Sequence, residues 1–302
     1  MSALAPQPVP PPTGDSDLLL KPPTVLLLGP AGVGKTYSIP TLLQCGLEVF
    51  VIGTEPNFLD TLLDSTRNRK LDVAKLHWLY IPPAAPGTTA LEDMAQQVAN
   101  KGYEDLAAIK QGISKDKTQQ FRQLLRATNN FVDERTGIDY GSIYEFGPDK
   151  ALVIDSLSGI NDMALNLTVG FKPALHQGEW GVAQNLEYAL IQKLTSDLKC
   201  LFVLVGHVDK EPNEITGGTS IMASSIGRKL APKLGKKFSE VILAKRGTKG
   251  LAFRWSTDDS AADLKNRALP ISDQIEPTFV EIWKGHQERL AQLGVAEGRP
   301  AV

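Results

Sequence analysis

Residues 29 to 36 read Gly-Pro-Ala-Gly-Val-Gly-Lys-Thr and follow directly an apolar run, Thr-Val-Leu-Leu-Leu, at residues 24 to 28. A strand, a glycine-rich turn and a helix in this order form a phosphate cradle, because the glycines let successive backbone N–H groups point inward. In such a P-loop the lysine reaches the β- and γ-phosphates and the threonine hydroxyl binds Mg²⁺. A plain glycine-rich turn would leave the Lys-Thr pair unexplained. We therefore expect a nucleoside triphosphate such as ATP to be bound by Gly29, Pro30, Ala31, Gly32, Val33, Gly34, Lys35, Thr36 and Tyr37.

The composition is that of a globular protein: 302 residues, 42% of them hydrophobic and 22% charged. The formal net charge is -2, so any contact with nucleic acid requires a local basic patch. No apolar run approaches the ~20 residues of a membrane helix, and the N-terminus lacks the pattern of a secretion signal, which together favour a cytoplasmic protein. Cys45 and Cys200 lie far apart without C-x-x-C spacing, which indicates neither a zinc site nor a disulfide framework.

Apolar runs that alternate with helical patterns predict an α/β fold, with a mostly parallel central sheet flanked by helices and antiparallel strands at one edge. Pro40 falls inside the helix expected after the P-loop and should bend or shorten it. The later runs at residues 240 to 244 and 250 to 255 are typical of an antiparallel pair.

The chain divides into three predicted parts. Residues 1–21 form a proline-rich tail whose composition cannot bury a core, and we expect it to be disordered. Residues 22–275 form one nucleotide-binding domain with a polar excursion at about 101–148, which includes a small hairpin around Gly137 and Gly141. Residues 276–302 form a C-terminal helix and a loose tail.

Hydrolysis of a triphosphate needs a carboxylate for the metal, a group that orients water, and cations for the developing charge. Open α/β sheets place such groups at the carboxyl ends of their strands. Asp155 ends an uninterrupted apolar strand, and we expect it to bind Mg²⁺ together with Thr36; the alternative is an acid that caps the next helix. Glu55 and His207 end two other predicted strands, where the alternatives are a solvated loop acid and a structural histidine.

Two groups of cations lie further along the chain. Lys265 and Arg267 fall on one face of an extended segment, so both can contact one phosphate or can simply belong to an exposed basic edge. Five cations are concentrated between residues 228 and 237, and they either neutralise the phosphates of a nucleic acid or form a solvated basic helix: Arg228, Lys229, Lys233, Lys236 and Lys237. Phe171 and Trp180 are candidates for base stacking and equally plausible core residues.

The order of the P-loop, Glu55, Asp155, His207 and the pair Lys265-x-Arg267 resembles the RecA-like ATPase superfamily over roughly residues 22 to 270. The phrases VIDSLSG, GHVDKE and LKNRALP, with Glu-Trp-Gly at residues 179 to 181, are similar to phage nucleotide-binding ATPases of the Sak-type single-strand annealing group. Ser156 follows Asp155 where AAA+ enzymes carry glutamate, which argues against that class.

The resemblance implies roles for the candidate residues. Glu55 is expected to orient the attacking water, His207 to sense the γ-phosphate, and Lys265 with Arg267 to enter the site of a neighbouring subunit. It implies an Mg²⁺-dependent ATPase that acts as a homo-oligomer, a ring or a filament, on single-stranded DNA during phage recombination, annealing or replication in the host cytoplasm. The competing hypotheses are a RecA-like switch or motor acting on a protein partner, and a small-molecule kinase, against which Glu55 and the Lys-x-Arg pair argue.

Overall fold

The computed structural model describes residues 20–110, 112, 118–212, 217–227, 230–247 and 253–292. The predicted tail up to residue 19, the end of the chain from residue 293, and the candidate DNA-binding residues Arg228 and Lys229 lie outside this part. The strands are β1 Thr24–Leu28, β2 Glu48–Gly53, β3 Leu76–Tyr80, β4 Lys150–Asp155, β5 Leu201–Gly206, β6 Val208–Pro212, β7 Thr219–Ala223, β8 Glu240–Arg246 and β9 Phe253–Ser256.

Seven of these strands form the central sheet in the order β3-β2-β4-β5-β1-β8-β9. All neighbouring pairs are parallel except β8 and β9, which are antiparallel. The predicted mixed α/β fold with an antiparallel edge is therefore confirmed. β6 and β7 form a separate two-stranded antiparallel sheet.

The helices are α1 Lys35–Ser38, α2 Phe58–Asn68, α3 Thr88–Asn100, α4 Tyr103–Ala107, α5 Gln120–Asn129, α6 Leu157–Val169, α7 Gln177–Asp197, α8 Ala231–Leu234 and α9 Val280–Gln292. α1 ends at Ser38, and a 3-10 segment, Ile39–Cys45, follows directly with Pro40 in its first turn. The expected shortening of the helix at this proline is therefore confirmed. Two helices, α6 and α7, connect β4 to β5.

Alternation along the strands builds a core on each face of the sheet. Phe50, Leu152 and Phe202 face α5, α6 and α7, whereas neighbouring side chains such as Val51 and Val203 face α2, α9 and the 3-10 segment. Helices cover both faces, which explains why the inner strands are continuous apolar runs. α9 belongs to this packing, since Phe279 just before it and Ile282 within it are fully buried.

The polar excursion contains the predicted small hairpin. The Phe131 N–H donates to the Gly141 carbonyl and the Tyr140 N–H donates to the Phe131 carbonyl, both at 2.8 Å. Gly137 and Gly141 adopt the positive φ angles, 70° and 74°, that its turns require. Buried His77 on β3 holds the hairpin, because its Nδ1 lies 3.3 Å from Asp133 Oδ2. The excursion is therefore anchored to the edge of the sheet.

Glu187 on α7 is a fully buried carboxyl group in the packing between α6, α7 and the segment after β7. Its Oε2 accepts a hydrogen bond from the backbone N–H of Ile226 at 3.3 Å, and its Oε1 has no partner in the part of the chain that the structure describes. Burial raises the pKa of Glu187 from 4.5 to about 8. The folded protein therefore keeps this group protonated at neutral pH.

We expect this proton to make stability depend on pH. The folded pKa lies above the unfolded value, so the folded state binds more protons between pH 4.5 and about 8, and stability falls as the pH rises through that window. Glu187→Gln keeps an acceptor for Ile226 and removes the titration. Urea unfolding should therefore show the stability loss from pH 5 to pH 8 reduced by about 2–4 kcal/mol in this variant.

Glu92→Gln on the exposed face of α3 is the control, and it should leave the pH dependence of unfolding unchanged. Equal pH slopes in the wild type and in Glu187→Gln would contradict the assignment of a buried, protonated carboxyl group.

Candidate active site

The P-loop lies at the carboxyl edge of the sheet, directly after β1 and between β5 and β8. The backbone N–H of Gly29 donates to the carbonyl of Gly206 at 3.1 Å, and a Cβ on Gly29 would lie 2.6 Å from the carbonyl oxygen of Ala244. Gly32 and Gly34 have φ angles of 70° and 78°, in the left-handed region that glycine adopts without strain. The glycines of the motif are thus required by close approach and by backbone conformation.

Lys35 lies inside the loop and is only 7% exposed. Its Nζ donates to the carbonyl oxygens of Gly29 and Pro30, both at 2.8 Å. Burial lowers the pKa of Lys35, while the nearby carboxylates of Asp155 and Glu55 act in the opposite direction. An ammonium group held by two carbonyl dipoles is placed to exchange them for the oxygens of a phosphate.

Thr36 and Asp155 meet beside the loop, where β4 ends. Thr36 Oγ1 donates to Asp155 Oδ2 at 2.6 Å, and Asp155 is 2% exposed. Burial raises the pKa of Asp155 to about 6, although the Thr36 hydrogen bond and the Lys35 charge favour its ionised form. A hydroxyl and a buried carboxylate are oxygen donors of the kind that Mg²⁺ binds alongside substrate phosphates. These two residues fit the predicted metal.

Glu55, Ser156 and His207 come together from the ends of β2, β4 and β5. Glu55 Oε1 accepts hydrogen bonds from His207 Nε2 at 3.0 Å and from the Ser156 hydroxyl. The His207 hydrogen bond is the main cause that holds the pKa of Glu55 below its usual value, against the effect of burial. Glu55 is therefore an ionised, positioned carboxylate at the same edge as the P-loop.

Thr54 joins the two strand ends that carry this group. Its Oγ1 accepts from the backbone N–H of Ser156 at 2.7 Å. A Cβ on Gly159 would lie 2.2 Å from Thr54 Oγ1, so α6 approaches this residue closely. In the sequence, Ser156 was notable only because it stands where AAA+ enzymes carry glutamate. In the structure its hydroxyl donates to Glu55.

Arg246 is a second residue that the sequence did not single out. It is exposed at the end of β8, and its Nη2 lies 3.8 Å from the position of a Cβ on Gly32 of the P-loop. Its guanidinium group has no ion pair or hydrogen-bond partner among the described residues, although its backbone pairs with Phe253 in the sheet. The apolar run predicted β8 only as far as Ala244, which left this cation outside the expected strand.

Lys265 and Arg267 lie away from the P-loop of their own chain. Lys265 pairs with Val241 near the start of β8, and its Nζ donates to the carbonyl of Phe238 at 2.8 Å. β8 runs parallel to β1, so this end of β8 is at the opposite edge from the P-loop. Both cations are exposed with Asn266 half-buried between them, as the predicted alternation requires. Their role toward a neighbouring subunit stays a prediction.

Three of the five candidate DNA-binding cations and both candidate stacking residues lie in the described ranges. Lys233 in α8 and Lys236 in the following 3-10 turn are exposed, whereas Lys237 lies over the ring of Tyr188, 5.2 Å from its centre. Trp180 is 37% exposed on α7, and Phe171 is half-buried. No described contact tests DNA binding by these residues.

Comparisons with known proteins add little to this geometry. No protein-family model and no curated protein matches the chain. Among solved structures, an ATPase from the type III secretion system of pathogenic bacteria is similar, with 12% identity and a TM-score of 0.36. The match covers 75% of this chain and 53% of that one, so the chain spans about half its length. Within the described ranges, no helix combines the length and apolar character needed to cross a membrane.

Proposed function

We propose that this chain is a RecA-like ATPase that hydrolyses ATP in the presence of Mg²⁺. The observation that carries the proposal is the meeting of Lys35, the Thr36–Asp155 pair and the Glu55–His207 pair at one edge of the sheet. Phosphate binding, metal binding and water orientation each need a different side chain, and each has a candidate here. Four separate strands deliver these groups.

The residues of the chain divide the work as follows. The loop backbone and Lys35 hold the phosphates, with the ammonium leaving the carbonyls of Gly29 and Pro30 for phosphate oxygens. Ionised Glu55 accepts a hydrogen bond from water and aims it at the terminal phosphorus, while His207 and Ser156 fix the carboxylate. Thr36 and Asp155 would hold Mg²⁺, which would neutralise phosphate charge when bound.

The proposal extends to assembly and to DNA. Lys265 and Arg267 are exposed at the edge opposite the P-loop, so a second copy that stacks edge to edge would bring them to this site. Single-stranded DNA in phage recombination, annealing or replication is the proposed substrate of the assembly. Its support is the sequence resemblance and the exposed cations Lys233 and Lys236.

The first test is the loss of triphosphate binding in Lys35→Ala. We expect at least a ~100-fold weaker affinity for a nonhydrolysable ATP analogue in calorimetry, because a buried charge contact to the phosphates is removed. Lys193→Ala, at an exposed ion pair on α7, is the control and should bind as the wild type does. Unchanged affinity in Lys35→Ala would contradict the P-loop assignment.

The wild-type protein tests the proposals about DNA and assembly. Phosphate release from ATP should rise when single-stranded DNA is added, and the particle size should increase with DNA and the analogue together. Hydrolysis that is independent of DNA over a range of salt concentrations would agree with an ATPase but would contradict the proposal that it acts on DNA.

A further inference from the structure

Two aromatic side chains lie beside the P-loop and contact each other. Tyr37 follows Thr36 directly, and Phe253 is the first residue of β9. The centres of their rings lie 6.4 Å apart and their planes meet at 52°. Both residues are half-buried, so neither is fully enclosed by the protein.

The backbone fixes where the Phe253 ring lies. Phe253 pairs with Arg246 at the end of the antiparallel β8–β9 ladder, which places it beside the P-loop. A Cβ on Gly34 would lie 2.5 Å from Phe253 Cδ2, so the ring rests directly on the loop backbone. A glycine at position 34 therefore accommodates this ring as well as the φ angle of 78°.

Contacts from α2, and from Arg69 directly after it, hold Tyr37. Ser65 Oγ donates to the Tyr37 carbonyl at 2.6 Å, and Asn68 Nδ2 donates to its hydroxyl at 3.4 Å. The guanidinium of Arg69 lies over the Tyr37 ring, 5.5 Å from its centre. Tyr37 is therefore positioned before any ligand arrives.

The direction in which a triphosphate binds decides which of its groups lies beside these rings. In the proposed function Lys35 contacts the β- and γ-phosphates, and the γ-phosphate lies toward the hydrogen-bonded pair of Glu55 and His207 at the ends of β2 and β5. The α-phosphate, the ribose and the base must then leave in the other direction. In the sheet order, β8 and β9 lie on that other side of β1.

We propose that Tyr37 and Phe253 bind the nucleobase of the triphosphate by aromatic stacking. This inference rests on the proposed nucleotide-binding function and adds the part of the site that recognises the base. Stacking on an aromatic face accepts every base, since each has a π-face, and it strengthens with ring size. The site therefore takes nucleoside triphosphates as a class, with purines bound more tightly than pyrimidines.

The test compares ATP with inorganic tripolyphosphate, which has the phosphates and lacks the base. Tyr37→Leu and Phe253→Leu keep apolar bulk and remove the aromatic face. Each should weaken ATP binding about tenfold, equivalent to about 1.4 kcal/mol, and leave tripolyphosphate binding unchanged. Tyr103→Leu, at a tyrosine that is 78% exposed on α4, is the matched control and should change neither affinity.

The outcomes separate the two levels of the proposal. A wild-type protein that binds neither ATP nor tripolyphosphate would overturn the proposed function itself. Retained tripolyphosphate binding, with the same ratio of ATP to tripolyphosphate affinity in both variants as in the wild type, would overturn only the base site. Because tripolyphosphate binding reports an intact P-loop, a misfolded variant is recognised by its loss, and Phe253→Tyr, which restores an aromatic face, should then recover the wild-type ratio.

Discussion

Glu55→Gln should lower ATP turnover at least ~100-fold, within the range by which a positioned general base accelerates a reaction. Glutamine has the same shape and keeps an oxygen that accepts from His207 and Ser156, so the local structure should persist. It lacks the negative charge that, in the proposed function, orients and activates water. Affinity for ATP should stay within about threefold of the wild type, because Glu55 contacts no phosphate in this scheme.

Single-turnover phosphate release and analogue binding, measured on the same preparation, separate the two effects. Glu145→Gln, at a side chain that is 77% exposed, is the matched control and should keep full turnover. Normal turnover in Glu55→Gln would return Glu55 to the role of a solvated loop acid. Loss of analogue binding would instead indicate that Glu55 supports the loop itself.

The parts of the site that the sequence predicted are those encoded locally. The P-loop is a continuous motif, and Asp155 follows a single apolar run, so the residues that define each are neighbours in the chain. Glu55 and His207 were located by a rule for sheets: carboxyl ends of parallel strands share one edge. Their hydrogen bond could not be predicted, because it depends on strand order and on side-chain rotamers.

The residues that the sequence missed depend on long-range pairing. Phe253 reaches the P-loop only because β9 pairs with β8 in one register, and Arg246 only because β8 extends two residues beyond its apolar run. Ser156 acts through Glu55, which lies 101 positions away in the chain. Single apolar runs contain none of this information.

Asp155→Asn should lower ATP turnover and raise the stability of the ligand-free protein. Turnover should fall about 1,000-fold, because the metal loses its carboxylate ligand and the phosphate charge is no longer neutralised. The ligand-free protein should become more stable at pH 7.5 by about 1–2 kcal/mol, because burial of an ionised carboxylate is unfavourable and asparagine carries no charge. The asparagine oxygen still accepts from Thr36, so the hydrogen bond at this position can persist.

The pH dependence distinguishes this cause from a general effect on packing. The folded pKa of Asp155, about 6, lies above its ordinary value of 3.8, so the wild type loses stability as the pH rises from about 4 to about 6. The variant should lose that part of the slope, and its advantage over the wild type should vanish near pH 4. Asp93→Asn, on the exposed face of α3, should change neither stability nor turnover.

A variant that is less stable at every pH would contradict this account. It would mean that the Asp155 carboxylate is favourable in the ligand-free fold, through Thr36 and Lys35, by more than its burial costs. The expected gain has the other meaning: the fold keeps a buried acid at the end of β4 against its own stability. A group retained in that way would be explained by what it binds, and beside the Thr36 hydroxyl and the loop that holds Lys35 the proposed ligand is a metal with a triphosphate.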